Sequence, residues 1–281
     1  MKQFFKDFSS NRGALAGSII LTIVALTGVT CSFLFENSPW MMVGQPLLLP
    51  FQNAEFPLGT DMLGRDIGAG LAYGARVSML VGLISTLVAV FVGILIGAAA
   101  GYYGGWIDDL MMRFTEFFQT IPQLAMAVVL VAILSPSIYS IVGAIALVSW
   151  PPVARLVRGE FLSLKQREFV QAAIVIGQRP RQIIFTQILP NAMSPIIVTA
   201  SLMIATAILT ESALSFLGLG DRNMMSWGFM IGASRTMLRE APWMSIMPGV
   251  AILLTVLAIN LIGEGLNDAM NPQLRKRGED A

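Results

Sequence analysis

The stretch GEFLSLKQREFVQAAIVIGQRPRQIIFTQILPN, residues 159–191, is the longest polar interruption in the second half of an otherwise apolar chain. Counted with Arg155 and Arg158, it carries six of the eighteen lysines and arginines. Phe169, Ala172, Ala173 and Ile176 follow the i, i+3, i+4, i+7 spacing of an apolar helix face, and Gly177 stands where a left-handed cap would end that helix. After Gln178 and Arg179, Pro180 suits the first turn of a second helix with Ile183, Ile184, Gln187 and Ile188 on one face, which Pro190 is expected to stop. Each helix is about 10 residues, or roughly 15 Å, too short to cross a bilayer. They are expected to pack on each other or on the ends of the flanking spans, leaving Gln178, Arg179 and Arg181 facing water. Such a basic corner fits either a groove on another protein or anionic lipid headgroups.

Around this corner the composition is that of a membrane protein. Of 281 residues, 55% are hydrophobic and only 12% charged, too little polar surface to coat a water-soluble globule. A net charge of +1 argues against nucleic acid as a partner, because phosphate binding needs a concentrated basic surface. One cysteine, Cys31, excludes an intramolecular disulfide, and the absence of histidine excludes a zinc site or Ser/His hydrolase built from this chain alone.

Uncharged runs place the spans. Gly13 to Phe35 is 23 residues, about 34 Å of helix, enough to cross roughly 30 Å of hydrocarbon and longer than a signal-peptide core. Residues 36–76 carry Pro39, Pro46, Pro50 and Pro57 and read as a stiff loop outside the membrane, either a connector or a surface for a partner. Glycines there are too dense for a stable helix until about Ala75. A second span is expected from about Val77 to Gly101, where Gly93, Gly97 and Gly101 form a small-residue face for a neighbouring helix of this or another subunit.

Phe117 to Ala154 is uncharged for 38 residues, with Ser135, Pro136 and Ser137 near its centre, so two antiparallel spans are expected. Pro122, Pro151 and Pro152 should kink or end them. A fifth span is expected at about Ala192 to Ala213 and a sixth at about Trp243 to Glu264, with Pro248 kinking its start. Glu211 either sits at the interface, pairs with a neighbouring helix or lines a water-filled path, since a carboxylate at mid-bilayer costs at least a few kcal/mol. Asn260 and Glu264 are further polar candidates for the path or for helix pairing.

Six spans put both termini on one side. With that side cytoplasmic, thirteen basic residues fall inside and five outside, the bias of the positive-inside rule. The expected fold is therefore all-α, with six transmembrane helices, cytoplasmic termini and the corner in the cytoplasm between helices 4 and 5. The expected organisation is a cytoplasmic segment 1–12, helix 1 at 13–35, an extracytoplasmic loop 36–76, a core 77–264 that includes the loop 155–191, and a cytoplasmic tail 265–281.

Gln171-Ala172-Ala173-x3-Gly177, followed after nine residues by Gln187-Ile188-Leu189-Pro190, resembles the EAA-x3-G-x9-IxLP signature of bacterial ABC importer permeases. Gln171 replaces its Glu and Gln187 its first Ile. LGTDMLGRD at 58–66, with Gly59, Asp61, Gly64, Arg65 and Asp66, resembles the second permease subunit of dipeptide, oligopeptide and nickel importers. So do YGARVSMLVGL at 73–83, GYYGGWIDD at 101–109, SFLGLG at 215–220 and PGVAILLTVLAINLIGEGLNDAMNP at 248–272. The resemblance covers about Asn11 to Pro272. It implies a bacterial inner-membrane subunit working with a homologous permease, two cytoplasmic ATPases and an extracytoplasmic solute-binding protein. Gln171 to Ala173, Gly177 to Pro180, Leu189 and Pro190 would then form the coupling helices that dock into the ATPase.

The resemblance implies no cofactor in this chain, since ATP and Mg would be bound by the ATPases, and no G-x4-G-K-[ST] is present. Short peptides are the favoured cargo, with nickel or its chelates and other peptide-like solutes as the alternatives. A secondary transporter or channel is the competing class, but no inverted repeat or pair of deep acids supports it. HExxH, GxSxG and paired intramembrane aspartates are also missing, so an enzyme is not expected.

Overall fold

The structure is a computed structural model and describes residues 8–270. The tail basic cluster Arg275 to Arg277, Lys2 and Lys6 lie outside the described residues. The chain is helical, and among the described residues β structure is confined to isolated bridges in the loop before the second helix. Among the described residues, five helices are long and apolar enough to cross a bilayer, and a bent pair makes a sixth crossing if counted as one span.

Helix α1, Arg12–Leu34, begins at Asn11, whose side chain accepts the Ala14 N–H. Helix α2, Ile67–Tyr103, starts well before the expected Val77. The glycines that argued against an early start are contact positions. A side chain at Gly70 would strike Met230, and one at Gly74 would meet the Trp227 ring at 2.7 Å. Asp66 caps the helix by accepting the Gly68 N–H at 2.8 Å.

Helices α3, Gly105–Gln119, and α4, Gln123–Leu134, meet at 82°. The third expected span is therefore this bent pair, because α4 alone rises only about 18 Å. Pro122 sits at its N-terminus, where a missing N–H costs nothing. After the expected turn at Ser135 to Ser137, α5 runs from Ile138 to Lys165 without ending at Pro151 and Pro152. The residues just past those prolines lock into the glycine face of α2. Cβ atoms built at Gly93 and Gly97 would lie 2.5 Å from Val153 Cβ and 2.3 Å from the Ala154 carbonyl. Close packing thus overrides the two lost backbone bonds, and the small-residue face is used within the subunit.

Helix α6, Glu168–Val175, and the short α7, Pro180–Gln182, form the corner. Pro190 does not stop the second helix: α7 continues through wide π-turns, Ile183–Ile188, into α8, Leu189–Leu214. Proline lacks the N–H that the Thr186 carbonyl would take in an α-turn. The π register shifts that pairing, and Asn191 Nδ2 donates to the Gln187 carbonyl at 2.6 Å. The backbone stays helical from Ser215 until Gly218 breaks it at φ +87°, and α9, Trp227–Ser234, and α10, Trp243–Met270, which runs through Pro248, follow.

Two contacts orient the bundle. Asn11 Nδ2 donates to Asp268 at 3.0 Å, joining the start of α1 to the end of α10. Lys165 Nζ donates to the Tyr102 carbonyl at 2.6 Å, joining the ends of α5 and α2. Because α1 and α2 are antiparallel and cross at Gly28 and Arg76, both described ends and the corner lie at the same end of the bundle. The proline-rich loop lies at the other.

Candidate functional site

The corner is built by local chemistry. The Gln178 N–H donates to the Ala173 carbonyl (3.1 Å) and the Gly177 N–H to the Ile174 carbonyl (3.0 Å), the paired bonds of a Schellman motif. Gly177 supplies its left-handed residue at φ +78°. Arg179 is extended, as a residue before proline must be, and Pro180 opens the next helix. Val170, Ala173, Ile183, Ile184 and Ile188 are buried against Tyr102, Val157 and Phe161, which seats the corner on the ends of α2 and α5. Each large member of that set contributes about 1.5–3 kcal/mol.

The buried face of α6 differs from the expected one. Val170 and Ala173 point inward, while Phe169 and Ile176 are 42% and 74% exposed, together with Val175 at 85% and Phe185 at 58%. Nearly every position of this helix is apolar, so periodicity alone did not choose the inner side. The result is an exposed apolar patch next to Gly177, a surface that marks an interaction site. Arg179, Pro180 and Arg181 are exposed beside it, but Gln178 is half-buried with its Oε1 enclosed, not turned to water as expected.

Gln171 is exposed, and its Nε2 donates to the Lys165 carbonyl at 2.8 Å, satisfying one of the open carbonyls at the end of α5. A carboxylate there has no proton to donate. Ala172 is exposed, Leu189 half-buried and Pro190 exposed. Two contacts behind the corner were not read from the sequence. Arg158 holds Asp108 in a bidentate pair at 2.5 and 2.6 Å, and Lys165 lies 5.3 Å over the Tyr102 ring. The signal available was opposite charges at the same end of α3 and α5.

At the opposite end, Glu211 is 2% exposed. Its Oε1 accepts from Ser215 Oγ at 2.8 Å and Ser226 Oγ at 2.7 Å, while Oε2 is enclosed without a partner. The carboxyl ties α8 to the N-cap of α9, where Ser226 also accepts the Phe229 N–H. Asn260 and Glu264 are exposed one turn apart on α10, near the corner end, and do not join Glu211.

The loop motif forms a compact knot. Asp61 Oδ1 accepts the N–H groups of Leu63 and Arg65, and Asp61 Oδ2 lies 2.8 Å from Arg65 Nε. The Arg65 guanidinium sits 5.4 Å over Trp40. Gly59 and Gly64 have φ of +78° and +76°, and a Cβ at either would lie 2.3 Å from a carbonyl oxygen. Burial pushes the Asp66 carboxyl above its usual range, against the pull of the Gly68 and Ala69 N–H groups.

Residues 93–276 match the family model described as binding-protein-dependent transport system inner membrane component. The dipeptide transport system permease protein of Alkalihalophilus pseudofirmus is 41% identical over 98% of this chain and 90% of its own length. The oligopeptide transport system permease protein of Escherichia coli is 38% identical over 96% of this chain and 90% of its own. Among solved structures, the MetNI methionine ABC transporter in an inward-facing conformation shares the fold. Its TM-score is 0.60 at 16% identity, covering 72% of this chain and 97% of that one.

Proposed function

This chain belongs to the family of binding-protein-dependent transport system inner membrane components, and from that premise we propose that it forms half of the path by which an ATP-driven importer moves short peptides. It is a multi-pass inner-membrane protein. The other half of the path is a homologous permease, two ATPase subunits bind MgATP, and a solute-binding protein delivers the peptide to the proline-rich loop. The termini and the corner face the cytoplasm.

The observation that carries this reading is the corner. An apolar patch of Phe169, Val175, Ile176 and Phe185, bent by Gly177 and flanked by Arg179 and Arg181, stands at one end of the bundle with its inner face seated on α2 and α5. A rigid seat with an open apolar face suits transmission of ATPase closure to the spans. The peptide relatives support the cargo, and the nickel reading gains no support from them.

The test uses the complete complex in proteoliposomes. In a Cys31→Ser background, Arg179→Cys is expected to crosslink to the ATPase in an ATP-sensitive way, with ATP-dependent uptake of labelled dipeptide retained. Absence of a crosslink from any corner position, or uptake by this chain without ATP, would overturn the reading.

A further inference from the structure

Helix α1 packs through one face, with Ala14, Gly17, Gly28 and Cys31 buried along its length. It packs on α2 and α10, and its outward residues Ile19, Ile23, Leu26 and Phe33 are apolar and exposed, the surface of a helix against lipid. The two helices come together where Gly28 meets Arg76: a Cβ on Gly28 would lie 3.0 Å from the Arg76 backbone nitrogen. From that crossing they diverge, leaving a groove of about 510 Å³ with α1 and α2 as walls and α8 and α10 as floor. Val29, Leu80 and Leu83 are exposed at its mouth. The volume falls within the roughly 300–1,000 Å³ typical of ligand sites.

Only two lining side chains are polar. Ser201 is satisfied by the Val198 carbonyl at 2.7 Å. Arg76 is exposed, and among the described residues it makes no hydrogen bond or ion pair. Gly28 lies six residues before the end of α1, so Arg76 starts about 9 Å below that helix end, a depth from which its long side chain is able to reach the membrane surface. An arginine at that depth, on a face otherwise fit for lipid, needs an anion that lives there.

We propose that this groove is a phospholipid site, with one acyl chain lying between α1 and α2 and the lipid phosphate held by the Arg76 guanidinium. Moving an acyl chain from the bilayer into an apolar groove changes its surroundings little, so chain burial supplies almost no preference. The preference comes from the charge-assisted bonds to the phosphate, and the chain fills a groove that would otherwise cost its lining residues their dispersion contacts. Arg76 therefore sets affinity, and the groove sets where the chain lies.

The experiment is native mass spectrometry of the complete detergent-purified complex titrated with phosphatidylglycerol, together with a photocrosslinking residue at Leu83 in the membrane. The parent complex is expected to retain a bound phosphatidylglycerol that Arg76→Gln weakens at least about tenfold, the factor for one lost charge-assisted bond. Arg76→Lys is expected to retain it, and Ala25→Phe, which fills the groove with the charge intact, to retain it while displacing the chain from the crosslinker at Leu83. The crosslinker is expected to capture lipid, a readout that leaves Arg76 and the fold untouched. Equal retention by the parent and Arg76→Gln would overturn the proposal. Capture of a partner subunit or of the transported peptide at Leu83 would do the same.

Discussion

At the scale of single residues, one amide and one carboxyl show what side-chain type alone does not. Gln171 donates to the Lys165 carbonyl, so Gln171→Glu should break that bond at a cost of about 1 kcal/mol. Hydrogen exchange should then be faster in residues 165–178, with the spans unchanged. Unchanged protection there would show that the amide bond is immaterial. Glu211 offers a sharper pair of variants. Glu211→Ala strips the acceptor from two buried hydroxyls, each orphan costing about 1–3 kcal/mol, whereas Glu211→Gln keeps an acceptor carbonyl in the same place. Thermal unfolding in detergent should therefore fall clearly for Ala and much less for Gln. Gly177, Arg179 and Pro180 were legible in the sequence because caps and proline restrictions act between near neighbours. The bond from Ser226 to Glu211 and the pairing of Asp108 with Arg158 were not, since both depend on how separate helices are placed.

At the scale of elements, uncharged run length found the long helices, and proline was the misleading sign. Pro190 was expected to stop a helix and Pro151 and Pro152 to kink or end one, and none of the three ends a helix. In each case the compensation is tertiary or a change of helical register, neither of which a local reading includes. Glycine density misled in the same way at the start of α2, where Gly70 and Gly74 receive the side chains of α9. The α2–α5 contact can be tested directly. Gly97→Ala places a methyl group 2.3 Å from the Ala154 carbonyl oxygen, while Gly143→Ala on α5 meets nothing within 4 Å. The first should lower stability by about 1–3 kcal/mol, the usual cost of overpacking, and the second should be neutral or slightly stabilising. Thermal midpoints of the two variants in detergent decide it. Equal midpoints would mean that the close α2–α5 crossing does not contribute to stability as its geometry implies.

At the scale of the whole molecule, the bundle has two chemically distinct ends. One holds the described ends of α1 and α10, the Asp108–Arg158 pair and the corner, and the other holds the folded loop and the Glu211 tie. Proposed topology follows from this division. A cysteine at Ser9 and one at Arg179, each in a Cys31→Ser background, should react with an impermeant thiol reagent from the same side of the membrane, and one at Glu55 from the other. Reaction of Ser9 and Arg179 variants from opposite sides would break the expected topology. Between the two ends runs α8, preceded by the π segment Ile183–Ile188 and followed by a break at Gly218, whose φ is +87°. A π-turn is an α-turn holding a surplus residue. Deleting Thr186 should therefore let the π segment relax to ordinary helix with α8 still in phase with its neighbours. An inserted residue at the same place should rotate α8 by about 100° and turn Glu211 away from Ser226. In its dependence on residue count, the connection between the two ends resembles a screw thread more than a hinge.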